Sequence, residues 1–398
     1  MKYNELLTRS IDKIYPTKEE FEKVLLTGKK LRIYMGIDPT ADYAHLGHST
    51  NYIILKRFHD LGHKIIVLIG DFTAMIGDPS DKGGSARVRL SKEQVKKNVK
   101  TFKDQIGKIL DFKDKKNPIE FRFNSDWLSK LNFENLIELA SNFTVQQMIE
   151  RDIFEKRIKS NKPLYVHEFF YPLMQGYDSV ELKADVEIGG SDQTFNMLAG
   201  RTLVKNYLKG EKFVITTTLL TNPVTGEKLM SKSLGTGIGL NESSKNMFGK
   251  IMALPDEAIV QCFVDCTYLS MGEINKIEKG LRKGDNPRDA KILLAYEIVK
   301  IYHGEKIAKL ERDNFDKVFS KKELPDKITE IIAELREWKL VDLLLFLNFV
   351  SSKAAAKRLI VQGGVKIDSL KITDADAVIT TYSGMIVQAG KLKLVKIK

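Results

Sequence analysis

Two apolar, β-branched runs, residues 31–38 (LRIYMGID) and 64–71 (KIIVLIGD), flank a stretch, 49–62 (STNYIILKRFHDLG), whose apolar positions recur at helical spacing. A run that is apolar at nearly every position has no side to give to water, so it fits a strand covered on both faces. Strand, amphipathic helix, strand is the repeat of an α/β fold built on a parallel sheet. The pattern continues through 91–112 (SKEQVKKNVKTFKDQIGKILDF), read as one helix. After an insertion-like region, 113–165, a helical stretch, 167–183 (HEFFYPLMQGYDSVELK), leads into 184–195 (ADVEIGGSDQTF), a strand whose glycine turn opens another helix. Residues 212–220 (KFVITTTLL) are expected to close the sheet.

The second half reads differently. From 247 to 320 the pattern is helical, with N-cap-like starts at LPDEAIVQCF, SMGEINKIEKGL and DNPRDAKILLAYEIVKIYH. Residues 320–327 (SKKELPDK) are polar, contain proline and make a linker. Beyond them, 339–368 predicts two helices, a Gly-Gly turn and a strand, with short β segments to the end.

A chain of 398 residues with 43% hydrophobic content can bury a sizeable core, and the length fits two to four domains. No window reaches the roughly 18 consecutive apolar residues of a membrane span, and the N-terminal stretch lacks a signal-like apolar run, so a cytosolic location is expected. Cys262 and Cys266 have no second pair or histidine nearby, which argues against a disulfide framework or a zinc site. The net charge of +12 is unevenly spread: from Lys339 onward ten Lys and Arg face four Asp, a net of +6. Half of the excess therefore lies in the last sixty residues, where a polyanion would be met.

Two of only six histidines fall in 37–50 (IDPTADYAHLGHST). If the helix begins here, His45 and His48 project from one side of its N-terminus, where unpaired backbone N–H groups favour phosphate. Gly47, without a Cβ, would let a ring or ribose lie against the backbone, and two imidazole donors suit an oxyanion growing on phosphorus. On these residues alone, a surface pair or a metal-ligand pair is the readier reading, and the motif needs a partner. A second feature, 225–239 (TGEKLMSKSLGTGIG), follows the last sheet strand. Its flanking glycines fit a mobile loop that brings Lys228 and Lys232 to a pyrophosphate on closing; a solvated lysine loop is the alternative.

HLGH on the first helix followed by MSKS after the last strand resembles the paired signatures of class I aminoacyl-tRNA synthetases. One position departs: the family pattern KMSKS has lysine where this chain has Leu229. The stretches YMGIDPTADYAHLGH, IGDPS, YPLMQGYD and IGGSDQTFN, with the C-terminal SSKAAAKRLIVQGGVKID, narrow the resemblance to the tyrosyl-tRNA synthetases of bacterial type, over nearly the whole chain.

That resemblance implies a Rossmann-like catalytic domain over 1–220, a mobile loop and linker over 221–246, a helical anticodon-binding domain over 247–325 and an S4-like RNA-binding domain over 335–398. It implies that Tyr34 and Asp178 hold a substrate phenol, that Asp78, Tyr171 and Gln175 hold its ammonium group, and that Gln193 lies near its carboxylate. Gly190 and Asp192 would contact the adenylate ribose, with Asp38, Gly47 and Ser231 also on the nucleotide side. Thr40, His45 and His48 would bind the phosphate region in the transition state while Lys232 neutralises the leaving pyrophosphate. Lys82 and Arg87, in 80–90 (SDKGGSARVRL), are a candidate second phosphate loop or a solvated turn. Lys353, Lys357 and Arg358 would face an RNA backbone.

The implied partners are L-tyrosine, ATP with its accompanying Mg2+, tRNA(Tyr) and a second copy of the chain, with no membrane and no protein-bound metal. The residues agree in one respect: Tyr171, Gln175 and Asp178 are spaced 4 and 3 apart and fall on one helical stripe. Burying such polar groups unpaired would cost about 1–3 kcal/mol each, a cost a ligand relieves. Three competitors remain: a tryptophan-specific enzyme, against which Tyr34 with Asp178 argues; a nucleotidyltransferase, against which the helical and S4-like regions argue; and a non-catalytic RNA-binding descendant, against which the intact motifs argue.

Overall fold

A computed structural model describes residues 3–79, 90–150, 152–230, 236–319, 328–390 and 393–398. The chain forms two compact units, Met1–Ala308 and Lys309–Lys398.

The first unit is built on six strands: β1 (Ile11–Tyr15), β2 (Arg32–Ile37), β3 (Lys64–Ile69), β4 (Glu120–Phe123), β5 (Val186–Gly190) and β6 (Phe213–Thr217), in the order β1-β6-β5-β2-β3-β4. β2 runs parallel to both β3 and β5, β4 continues beside β3, and β6 beside β5. All of β3 beyond its first residue is buried. Each fully buried Ile or Val contributes about 1.5–3 kcal/mol, so a one-residue slip that turned them outward is strongly disfavoured. Neighbours lie on either side of β2, so the order of strands reverses there. A parallel sheet opens a crevice at the carboxyl ends of such strands.

Three expectations change. Residues 212–220 do not close the sheet; β1 does, pairing antiparallel with β6. Its sequence, IDKIY, carries two adjacent charged residues and buries only Ile14 fully, as an edge strand open to water allows. The insertion-like region 113–165 supplies β4, the opposite edge, where EFRF is only partly buried and carries no long apolar run. The stretch 91–112 is two helices, Lys92–Val99 and Phe102–Ile106. Between them Thr101 donates its hydroxyl to the Asp42 carbonyl, and Phe102 turns fully inward.

The helices Val166–Glu181 and Thr194–Leu208 pack closely beside β5. A Cβ on Gly176 would meet Leu203 Cδ1 at 2.8 Å and the backbone of Ala199 and Gly200 at 3.2 Å, so glycine permits this approach. Among the described residues five α-helices follow before the linker: Ser244–Met252, Ile259–Cys266, Met271–Arg282, Pro287–His303 and Glu305–Phe319. Arg9, 5% exposed, seals the carboxyl end of Ile259–Cys266, donating to the carbonyls of Phe263, Val264, Thr267 and Leu269 at 2.8–3.4 Å.

The second unit carries the helices Leu340–Phe346 and Lys353–Val361 against a five-stranded sheet. Its core joins Leu340, Leu343, Leu344, Ile360, Val365 and Val387. The Gly-Gly turn falls where expected: Gly363, at φ 69°, reverses the chain ahead of the strand Val365–Ile367.

Candidate active site

A cavity of about 600 Å³ opens at the carboxyl ends of β2 and β5. The turn after β2 sends Asp38, Thr40 and His45 to its wall, and the turn after β5 sends Gly190, Asp192 and Gln193. The helix Val166–Glu181 adds Tyr171, Gln175 and Asp178, one stripe as their spacing requires. Asp78, Gly47 and His48 complete the expected residues on this surface.

His45 is the N-cap of the helix Leu46–Asp60, in extended conformation at φ −121°. The helix starts one residue later than the histidine pair suggested. The backbone N–H of His45 donates to His48 Nδ1 at 3.1 Å, and the two rings lie 3.9 Å apart. A nitrogen that accepts cannot carry the ring proton, so the neutral His48 ring bears it on Nε2. A Cβ on Gly47 would sit 3.1 Å from the His45 ring and 3.5 Å from Met230 Cβ. The chain beyond 235 returns beside this helix start: Leu46 N–H donates to the Ile238 carbonyl at 3.0 Å and Leu240 N–H to the Ala44 carbonyl at 2.8 Å. Both ends of the glycine-flanked segment thus meet the histidines, with Lys228 and Met230 on the cavity wall. Lys228 Nζ pairs with Asp192 Oδ2 at 2.9 Å. Ser231, Lys232, Lys82 and Arg87 lie outside the described residues.

The amino-acid side of the cavity carries two hydrogen-bond networks. Tyr171 donates its hydroxyl to Asp38 Oδ2 at 2.8 Å, and Thr73 donates to Asp38 Oδ1 at 2.7 Å. Asn124 Nδ2 donates to Thr73 Oγ1 and to Asp178 Oδ2, while Trp127 Nε1 donates to Asp178 Oδ1 at 2.8 Å. Gln193 Nε2 donates to Asp78 Oδ2 at 2.7 Å; Asn196 Nδ2 bridges Gln193 Oε1 and Gln175 Oε1, each at 3.0 Å. Gln175 Nε2 in turn donates to Glu187 Oε1 at 3.0 Å.

Tyr34 is placed differently from its neighbours in the expected set. It is fully buried behind the wall rather than on it, with its hydroxyl 2.7 Å from Ser179 Oγ. Burial, then the nearby charges of Glu187 and Asp178, hold the Tyr34 hydroxyl well above its ordinary titration range. Burial also pushes the Asp178 carboxyl well up, and the donors on Trp127 and Asn124 oppose that shift. Tyr171 is raised by burial and by Asp38 and Asp78.

Sequence reasoning did not single out Thr73, Asn124, Trp127, Ser179, Glu187, Asn196 or Lys212. Glu187 and Lys212 carried a signal, each being a charge in or beside an otherwise apolar strand. Asn124 and Trp127 follow β4, whose residues were assigned to the insertion.

In the second unit, Lys353, Lys357 and Arg358 share the helix Lys353–Val361, whose N-cap Ser352 accepts from Ala355 N–H. Lys353 pairs with Asp342 at 2.9 Å and Lys357 with Asp376 at 3.7 Å, all on the surface. Among the described residues no group of three or more His, Cys, Asp or Glu is placed to hold a metal ion, and no helix is long and apolar enough to cross a membrane.

Residues 26–320 match the family described as tRNA synthetases class I (W and Y), and 338–380 match the S4 domain. The tyrosine–tRNA ligase of Carboxydothermus hydrogenoformans is 45% identical over 99% of this chain and 97% of its own length. Tyrosine–tRNA ligase 2 of Clostridium acetobutylicum is 44% identical over 98% and 97%. Among solved structures, a C-terminally truncated mitochondrial tyrosyl-tRNA synthetase of Aspergillus nidulans superposes with a TM-score of 0.66 at 24% identity, covering 80% of this chain and 93% of that one, a likeness of fold.

Proposed function

The chain belongs to the class I tRNA synthetases that comprise the tryptophan and tyrosine enzymes, and from that premise we propose how its cavity works. It activates L-tyrosine with ATP, giving tyrosyl-adenylate and pyrophosphate, and then passes the tyrosyl group to the 3′ end of tRNA(Tyr). The substrate carboxylate is the nucleophile on the α-phosphorus, so the protein supplies position and charge rather than a nucleophile of its own.

One observation carries this reading: the histidine pair and the Tyr171–Gln175–Asp178 stripe share one cavity. Asp178 receives the phenol, with Tyr34 behind it. Asp78, Tyr171 and Gln175 receive the ammonium group, and Gln193 lies by the carboxylate. Gly190 and Asp192 take the ribose, Asp38 and Gly47 line the nucleotide side, and Thr40, His45 and His48 steady charge on the phosphates. Ser231 and Lys232 serve the pyrophosphate, and Lys82 and Arg87 are a second source of positive charge for the phosphates. Magnesium enters with ATP as part of that substrate. Lys228, paired with Asp192 beside the ribose position, is the lysine nearest the place that Leu229 vacates.

Lys353, Lys357 and Arg358 contact tRNA phosphates, where RNA is read largely through shape and backbone. A second copy of the chain covers exposed apolar side chains that include Phe133 and Ile137, one turn apart, and Val166. The work takes place in the cytosol, where tRNA is charged. Pyrophosphate exchange with each of the twenty amino acids tests the assignment. Exchange with tyrosine alone is the expected result, and exchange with tryptophan, or with none, defeats it.

A further inference from the structure

Beneath the amino-acid wall lies an ion pair that the reaction itself does not use. Lys212, one residue before β6, is 0% exposed, and its Nζ bonds to Glu187 Oε2 and to the Met197 carbonyl. Glu187, on β5, is 2% exposed and borders the cavity. A charge pair this deep is a poor source of stability, because removing both ions from water offsets most of their attraction. Its placement therefore calls for a reason other than stability.

The bonds around it supply one. Glu187 Oε1 accepts from Gln175 Nε2 at 3.0 Å. On the other oxygen, Glu187 Oε2 accepts from Ser179 Oγ at 3.4 Å, and Ser179 is 2.7 Å from the Tyr34 hydroxyl. A carboxylate can only accept. It therefore holds the Gln175 amide with its nitrogen toward Glu187, while Gln175 Oε1, which accepts from Asn196 Nδ2 with one lone pair, keeps the other for an ammonium group. Ser179 Oγ links the Glu187 carboxylate to the Tyr34 hydroxyl: when Ser179 gives its proton to Glu187, the Tyr34 hydroxyl donates to Ser179 and keeps its oxygen lone pairs as acceptors. Lys212 Nζ lies 5.8 Å from the Tyr34 ring centroid and sets its positive charge against the Glu187 carboxylate. The helix Thr194–Leu208 is shaped around this cluster: a Cβ on Gly200 would come within 2.6 Å of Ser179 Oγ and still closer to Lys212 Nζ.

We propose that Glu187, held by Lys212, is the positioning residue of the amino-acid pocket, setting the donor and acceptor directions of Gln175 and Tyr34 and thereby the recognition of an α-ammonium, phenolic substrate. The inference rests on the tyrosine-activation reading above.

Pyrophosphate exchange on the full-length wild type comes first, since a lack of tyrosine-dependent exchange there refutes the activation reading and not this one. Glu187→Gln then keeps the shape while allowing the Gln175 amide to turn over. Its tyrosine KM is expected to rise about tenfold with the ATP KM within about twofold, the mark of lost amino-acid binding. Glu187→Gln leaves Lys212 buried without its counter-charge and can unfold, so Glu187→Gln/Lys212→Met, which removes both charges, is measured beside it with thermal melting. The double variant is expected to melt near the wild type and to keep the raised tyrosine KM. Recovery of both melting temperature and tyrosine KM in the double variant would reduce the pair to charge balance and overturn the proposal. Parallel losses for tyrosine and ATP in either variant overturn it as well.

Discussion

Trp127 donates its indole N–H to Asp178 Oδ1 at 2.8 Å, which ties the segment after β4 to the amino-acid wall on the helix Val166–Glu181. Trp127→Phe keeps most of the ring and removes that donor. A buried carboxylate that loses one partner costs about 1–3 kcal/mol, so the melting temperature should fall. The tyrosine KM should rise with it, because Asp178 is then free to leave its aligned position. Thermal melting and tyrosine titration of exchange would read the two effects separately.

Asp178→Ala removes the acceptor on the cavity wall without touching the histidine pair. Discrimination against phenylalanine should fall by at least tenfold, while the ATP KM changes by less. Tyrosyl enzymes are themselves the known example of hydroxyl recognition reaching about 10⁴–10⁵, a figure not obtained from this site. Competition between tyrosine and phenylalanine in exchange gives the ratio, and equal losses for amino acid and ATP would count against the assignment.

Much of this was legible before the fold was seen. The runs around Ile33 and Ile66 announce buried parallel strands because both faces of those strands are covered, and 4 and 3 spacing places Tyr171, Gln175 and Asp178 together. The edges were not legible. Half-solvated β1 and β4 have no long apolar run: IDKIY lacks a period of two, and the four alternating residues of EFRF are too few to stand out as a strand. Asn124 and Trp127 were missed for the same reason, since the strand that delivers them was invisible. Tyr34 lies in a strand read correctly, yet which way its hydroxyl turns depends on Ser179, from a helix distant in sequence.

Asp265, 1% exposed, accepts from Thr218 Oγ1 at 3.1 Å beside the end of β6. Burial raises its carboxyl above the usual range, against the pull of Ser10, Thr218, Gln261 and Arg9. The folded chain therefore holds this proton more tightly than the unfolded chain does. Its stabilising contribution is complete below the ordinary value of about 4 and is lost as the pH rises through the raised value. Asp265→Asn should lack that loss, so its melting temperature relative to the wild type climbs with pH over this window. A constant offset at every pH would contradict this account.

Ending the chain before residue 328 removes the five-stranded and two-stranded sheets and the helices Leu340–Phe346 and Lys353–Val361, and none of the residues lining the cavity. Tyrosine-dependent exchange should persist, whereas aminoacylation of tRNA should fall by at least tenfold. Unchanged charging would take the RNA role away from Lys353, Lys357 and Arg358.

The first fifteen residues do two jobs with one short strip. Ile11–Tyr15 zips along β6, and two residues before it Arg9 grips four carbonyls at the end of Ile259–Cys266. Peeling the strip away bares a sheet margin and a helix terminus in the same motion. The sheet and the helices behind it thereby share one fastening, and losing it should loosen both together.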